Sequence, residues 1–180
     1  MAELTSRKPN RLQNYDYSKK GMYFITICVQ ERHEMLWKPV GANCVRPQST
    51  QITNSTFLLS DIGNIIKNEI DKLSAIYPNA NVDKYVIMPN HVHMIINLSC
   101  SEKAWEETRG RTQFAPTISR IIKQFKGSIT KQIGFSIWQK SFHDHIIRDE
   151  QEYKAVSDYI DQNPQKWQED CYFVRPSANP

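Results

Sequence analysis

Long apolar runs are missing from this chain of 180 residues. No stretch approaches the roughly 20 apolar residues that a membrane-spanning helix needs, and the N-terminal residues lack the apolar segment of a secretory signal peptide. The four cysteines are scattered and form no CxxC pair, which argues against a zinc ribbon or a redox motif. Repeats and low-complexity tracts are also absent. These absences favour one globular domain with reduced thiols, located in the cytoplasm.

Charge of one sign is only weakly in excess. The formal net charge is +4, which permits a polyanionic partner without requiring one. Basic residues nevertheless cluster in an N-terminal arm, residues 1–20, and in a helix near residue 125, although either cluster can equally be a solvated surface. The candidate phosphate contacts in these clusters are Arg7, Lys8, Arg11, Lys19, Lys20, Arg120, Lys123 and Lys126.

The spacing of apolar residues predicts a single α+β domain over residues 21–180. The predicted strands span residues 22–29, 34–37, 82–88, 91–98 and about 136–147, and the first two are expected to form a hairpin. Helices are predicted to begin at Ser60, Thr117 and Asp149, the last with Glu152 in a capping box. This order predicts a ferredoxin-like, four-stranded antiparallel sheet with two helices on one face and an additional C-terminal helix.

The sharpest local pattern is His91-Val92-His93, which follows a Pro-Asn turn. Alternate residues of a strand point to the same face, so the two imidazoles project together, about 6–7 Å apart along the strand. Two imidazoles on one face can hold a divalent cation, although an isolated pair is more often a coincidence. A second pair, His143 and His145, also shares a face, and contacts with phosphate or a carboxylate are favoured there over a second metal site.

The last predicted helix offers both a nucleophile and a further ligand. Tyr159 and Asn163 are four residues apart and therefore share one helix face. The phenol of Tyr159 can attack a phosphate, and the amide oxygen of Asn163 can bind Mg²⁺ or Mn²⁺. Tyr153 is an alternative nucleophile, on a different face of the same helix.

Four segments together resemble the REP-associated tyrosine transposases, which are relatives of the single-strand transposases of insertion sequences. The segments are NRLQNYDYSKKGMYFITICVQ, VIMPNHVHMIINL, WQKSFHDHIIRDEQEY and YIDQNPQKW. The resemblance implies that His91 and His93 bind the metal. It also implies that Tyr159 is the nucleophile and that Asn163 is the third ligand, where the insertion-sequence branch usually has Gln. Many relatives have tyrosine in place of Phe142.

The resemblance also implies a function. A single-stranded DNA hairpin would be cleaved beside its foot, with Mg²⁺ or Mn²⁺, through a 5′-phosphotyrosine linkage that a 3′-hydroxyl later reverses without a nucleotide cofactor. Family members often act as homodimers, and unpaired bases could stack on Tyr17 or Trp105. Two other classes remain open: a DNA- or RNA-binding module without catalysis, and a metal-dependent nuclease that uses water.

Overall fold

The computed structural model describes residues 19–38, 58–99 and 117–173. Several predicted DNA contacts lie outside these ranges, namely Arg7, Lys8, Arg11, Tyr17 and Trp105. None of the helices within the described ranges combines the length and the apolar character that crossing a membrane requires.

Four strands and three α-helices alternate along the described chain in the order βαββαβα. The strands are β1 (Gly21–Cys28), β2 (Ala80–Ile87), β3 (His91–Leu98) and β4 (His143–Ile147). The helices are α1 (Asp61–Ile76), α2 (Ile118–Ile133) and α3 (Glu150–Gln162). All strand pairs are antiparallel, and the spatial order is β2-β3-β1-β4. The predicted ferredoxin-like fold with an added C-terminal helix is therefore confirmed.

The two faces of the sheet are covered by different layers, and strand alternation decides which residue meets which layer. The main core lies between the sheet and helices α1 and α2, and β1 contributes Tyr23, Ile25 and Ile27 to it. A second, smaller cluster lies on the opposite face, where Phe24 of β1 and Ile95 of β3 meet Ile160 of α3. The two histidines of β3 alternate with its core residues and therefore face α3.

The three helices begin after the predicted capping residues Ser60, Thr117 and Asp149. In each case the side-chain oxygen accepts a backbone N–H of the first turn, as expected of an N-cap. The capping box predicted at α3 is wrong in one bond. The Glu152 carboxylate accepts the N–H of Arg148 (2.7 Å) instead of that of Asp149, because the same carboxylate also reaches His145 on β4.

The predicted hairpin of residues 34–37 with β1 is wrong. Both edges of β1 are already occupied, by β3 on one side and β4 on the other. The segment instead crosses the β2–β3 turn, where the N–H of Leu36 donates to the carbonyl of Pro89 (2.9 Å). Trp37 then pairs with Leu59 in an isolated bridge.

The predicted strand over residues 136–147 is too long, since regular pairing is confined to β4. Before β4 the chain makes only separate contacts with the end of β1, including a bond from the N–H of Gln139 to the carbonyl of Cys28 (2.9 Å). Lys126 of α2 holds this stretch, because its ammonium donates to the carbonyls of Gln139 (2.9 Å) and Ser141 (2.6 Å).

Candidate active site

His91 and His93 form the centre of the site, on the face of the sheet that α3 covers. Both side chains are buried, and their Nε2 atoms lie 2.9 Å apart. Nδ1 of His91 lies 2.9 Å from Oδ1 of Asn90, and Nδ1 of His93 lies 2.8 Å from Oγ1 of Thr26. Since an amide oxygen only accepts, Nδ1 of His91 carries a hydrogen and its Nε2 presents a lone pair.

Both imidazoles are neutral at physiological pH. Burial lowers the pKa of His91 to about 3, and the nearby guanidinium of Arg32 acts in the same direction. Burial likewise lowers the pKa of His93 to about 3, with a further contribution from His91. A neutral imidazole is the form that binds a metal ion, so the pair is ready for a cation without first losing protons.

Tyr159 of α3 lies next to this pair. Its hydroxyl is 3.2 Å from Nε2 of His93 and 3.4 Å from Oδ2 of Asp170. Burial and the Asp170 carboxylate raise the pKa of Tyr159 to about 12. At neutral pH the phenol therefore keeps its proton, and it becomes a good nucleophile only when positive charge stabilises the phenolate.

Tyr153, the alternative nucleophile, lies elsewhere. Its hydroxyl donates to Asp83 of β2 at 2.5 Å, and this bond attaches the first turn of α3 to the edge of the sheet. The residue packs against the small cluster that also contains Ile160. The arrangement thus pairs Tyr159, and not Tyr153, with the two histidines.

Asn163 caps the C-terminus of α3 and is 3% exposed. Neither Oδ1 nor Nδ2 of its amide has a hydrogen-bond partner among the described residues. A buried polar group left unpaired costs about 1–3 kcal/mol, so this amide is expected to have a partner beyond the described residues, and a bound cation is one candidate. Two neutral imidazoles and an unpaired amide oxygen fit a divalent cation such as Mg²⁺ or Mn²⁺.

Asp170 is a residue of the site that sequence reasoning missed. One ligand atom each of His91, His93 and Asp170 lie within 4.8 Å of one another. The Asp170 side chain is 2% exposed, and its Oδ1 accepts the N–H of Tyr172 at 2.7 Å. The available signal is indirect. Trp167 and Tyr172 are aromatic residues on either side of Asp170, and their rings lie 5.9 Å and 4.5 Å from that of His91.

The predicted phosphate contacts on α2 are not beside the histidines. Arg120 and Lys123 are exposed, but α2 covers the opposite face of the sheet. The ammonium of Lys126 is engaged with backbone carbonyls. Lys19 and Lys20 lie immediately before β1.

The second histidine pair, on β4, is not part of this site. His145 Nε2 lies 2.5 Å from the Glu152 carboxylate, which is the carboxylate contact that the sequence favoured. His143 is exposed on the same strand. Within the described ranges, a possible metal-binding group of His, Cys, Asp and Glu residues is found at His91, His93 and Asp170 and not at this pair.

Comparisons with known proteins found relatives in sequence and in fold, although no family model matches the chain. A REP-associated tyrosine transposase of Haemophilus influenzae is 26% identical over 159 residues, which cover 86% of this chain and 77% of the relative. A REP-associated tyrosine transposase of Escherichia coli K12 is 26% identical over 151 residues, 83% of this chain and 70% of the relative. The solved structure of a REP-associated tyrosine transposase bound to a REP hairpin has the same fold, with a TM-score of 0.52 and 23% identity over 87% of this chain and 74% of that one. Together with the ordered motifs, these likenesses identify the chain as similar to the REP-associated tyrosine transposases.

Proposed function

We propose that this protein cleaves and rejoins single-stranded DNA beside a hairpin, through a covalent bond to Tyr159. The observation that carries the proposal is the Tyr159 hydroxyl 3.2 Å from Nε2 of the neutral His93. The unpaired Asn163 amide at the end of the same helix supports it. The relative whose structure contains a REP hairpin supports a DNA hairpin as the substrate.

We propose Mg²⁺ or Mn²⁺ as the cofactor, held by His91, His93 and Asn163. When bound, the cation polarises a non-bridging phosphate oxygen and favours the phenolate. The chain's own contribution is orientation. Thr26 and Asn90 fix the two rings through Nδ1, which leaves Nε2 of each ring directed at the same point.

In the proposed step the hydroxyl oxygen of Tyr159 attacks phosphorus and the bond from phosphorus to the 3′-oxygen breaks. The phenol proton passes through solvent to the departing 3′-oxygen, so the products are a 5′-phosphotyrosine and a 3′-hydroxyl. The phosphotyrosine bond conserves the energy of the phosphodiester. A 3′-hydroxyl of another strand can therefore reverse the step without a nucleotide cofactor.

Backbone phosphates are proposed to bind the basic arm, Lys19 and Lys20, and the exposed part of α2. Arg120 and Lys123 lie in the layer on the other side of the sheet from Tyr159. DNA that contacts this layer and also reaches Tyr159 must therefore pass around an edge of the sheet. Lys126 is expected to contribute least, since its ammonium already has two acceptors.

A homodimer in the cytoplasm is part of the proposal. The location is supported by the described cysteines, Cys28 and Cys171, which are free thiols.

The test is an adduct assay with labelled single-stranded hairpin DNA from the gene's own flanks, in Mn²⁺ or Mg²⁺, resolved on denaturing gels. Wild type is expected to form a covalent protein–DNA adduct. Tyr159→Phe and His91→Ala are expected to abolish the adduct. Tyr153→Phe is the matched control, because it removes a hydroxyl from the same helix that bonds only Asp83, and it is expected to keep the adduct.

Other results would identify the alternatives. Cleavage without an adduct, retained in Tyr159→Phe, would indicate a nuclease that uses water. Binding without cleavage would indicate a DNA-binding module. An adduct lost in Tyr153→Phe and kept in Tyr159→Phe would move the nucleophile and contradict the proposed geometry.

A further inference from the structure

We propose that Asp170 is a direct ligand of the divalent cation. The site would then combine two imidazole nitrogens, the Asn163 amide oxygen and one carboxylate oxygen. This inference rests on the proposed function and assigns a ligand that the helix and strand motifs do not contain.

The first argument is charge. His91 and His93 are neutral and Asn163 is an amide, so these three ligands bring no negative charge to a cation of charge +2. Taking such a cation out of water without a counter-charge is strongly unfavourable. Asp170 is the carboxylate of the cluster that the described residues form around the histidine pair.

The second argument concerns Asp170 itself. Its side chain is 2% exposed, and its hydrogen bonds come from neutral donors, the N–H of Tyr172 and the hydroxyl of Tyr159. Within the described ranges its closest contact with a side chain that can carry positive charge is at 4.0 Å, to Nε2 of His91. A buried carboxylate needs a positive partner, and a cation on the histidine pair would provide one.

The third argument is distance. Around an octahedral ion with ligands at 2.0–2.1 Å, neighbouring ligand atoms lie about 3 Å apart and opposite ones about 4 Å apart. The two Nε2 atoms are 2.9 Å apart, as neighbouring ligands would be. Oδ2 of Asp170 is 4.0 Å from Nε2 of His91, as opposite ligands would be. The two separations from Nε2 of His91 are therefore compatible with ligands of one ion.

The fourth argument is that the fold holds Asp170 in place from two sides. Arg32 Nη1 donates to the carbonyl of Cys171 (3.0 Å), and Asn90 Nδ2 donates to the carbonyl of Tyr172 (2.9 Å). Arg32 and Glu31 have φ angles of 57° and 54°. Such left-handed residues are strained and persist only where surrounding contacts enforce them.

The test is calorimetric titration of the metal-stripped full chain with MnCl₂, which reports binding without reference to activity. Asp170→Asn keeps the size of the side chain and an oxygen for the N–H of Tyr172. It is expected to raise the Kd for Mn²⁺ by at least about tenfold. Removing a group that only hydrogen-bonds to a metal ligand typically weakens metal affinity by about 10–100-fold, so removing a direct ligand should cost at least the lower of these values. Glu169→Gln is the matched control, since it removes the same charge from the adjacent exposed residue, and its Kd is expected to stay within twofold of wild type.

Asp170→Glu keeps the charge and provides a second variant, which must bind Mn²⁺ more tightly than Asp170→Asn. Melting curves in EDTA establish that each variant is folded. Equal Kd values for wild type and Asp170→Asn would overturn the inference. If Asp170→Asn kept its Mn²⁺ affinity but lost the DNA adduct, Asp170 would be a positioning residue for Tyr159, and the inference would again be wrong.

The failures of the two proposals are distinguishable. Suppose that Mn²⁺ binding depends on Asp170 but the wild-type protein forms no DNA adduct. This result would refute the proposed function and leave Asp170 as a ligand. An adduct formed in EDTA by a protein that binds no Mn²⁺ would refute the ligand and leave Tyr159 as the nucleophile.

Discussion

Replacing Thr26 by valine tests whether the strand beside the histidines sets their chemistry. Valine has nearly the shape of threonine, so the change removes little except the hydroxyl that lies 2.8 Å from Nδ1 of His93. Thr26 is 4% exposed, so water does not readily replace the lost hydrogen-bond partner. A buried ring nitrogen left without a partner costs about 1–3 kcal/mol. In a domain of this size each kcal/mol corresponds to about 2–4 °C in Tm.

In Thr26→Val the hydrogen of the neutral His93 ring can reside on Nε2, and that tautomer has no lone pair for the cation. We therefore expect Thr26→Val to lower Tm in EDTA and to weaken Mn²⁺ binding by about 10–100-fold, as for other supporting groups of metal ligands. Melting curves and calorimetric titration measure the two effects. Thr130→Val, a half-buried residue of α2, is the control and should change neither. Thr26→Ser should restore both.

The reasoning fails if Thr26→Val melts like Thr130→Val and binds Mn²⁺ as wild type does. In that case the hydroxyl would not determine which nitrogen of His93 carries the hydrogen. His91 is an internal reference, because its Nδ1 is bonded to Asn90 and is untouched by the substitution.

Three further results are expected. In the folded protein the pKa of His91 and of His93 is about 3, below the unfolded value of about 6.5. Between pH 6.5 and pH 3 the unfolded chain therefore binds protons at these residues and the folded chain does not. The free energy of unfolding should consequently fall as the pH decreases from about 6.5 toward about 3. Urea titrations at several pH values should show a shallower fall for His91→Gln. Gly63→Ala should destabilise the protein by about 1–3 kcal/mol, because a Cβ at this position would lie 2.3 Å from a backbone oxygen. Gly127 of α2 has open space around it, so Gly127→Ala should stabilise the protein by about 0.5–1 kcal/mol. Asn90→Ala should cost about 3 kcal/mol in urea unfolding, because two backbone carbonyls and His91 lose a buried partner.

The sheet and the histidine pair were predictable because strand alternation is local. In β1 every second residue is apolar and buried in the main core, and in β3 the same rule puts both histidines on one face. Even so, the rings converge more closely than strand spacing predicts. The separation of about 6–7 Å along the strand becomes 2.9 Å between the Nε2 atoms, because Thr26 and Asn90 turn the rings toward each other.

The errors came from contacts between distant parts of the chain. The 34–37 segment has strand-like residues, but no edge of β1 was free for it, and pattern reasoning does not count available edges. Asp170 lies in an irregular segment with no periodicity, and its carboxylate is brought to the site by tertiary contacts of Asp170 and its neighbours with Tyr159, Arg32 and Asn90. In such a segment the sequence indicates which apolar residues pack against the domain, but not which neighbouring acidic residue is thereby brought to the site.

The position of α3 outside the main core has a consequence for the dynamics of catalysis. The helix is held by the small cluster around Ile160, by Tyr153 on Asp83, and by Lys84 of β2, which bonds Asp161 at 2.6 Å near the surface. Elements with so little buried apolar contact open with lower free energy than the whole domain, and hydrogen exchange of their amides reports it. The amides of α3 should therefore exchange through a partial opening that leaves β1, β3, α1 and α2 folded. Tyr159 then exchanges between a docked position beside the histidines and an open position, independently of global unfolding. Conditions that leave the global stability unchanged can shift the balance between these two positions.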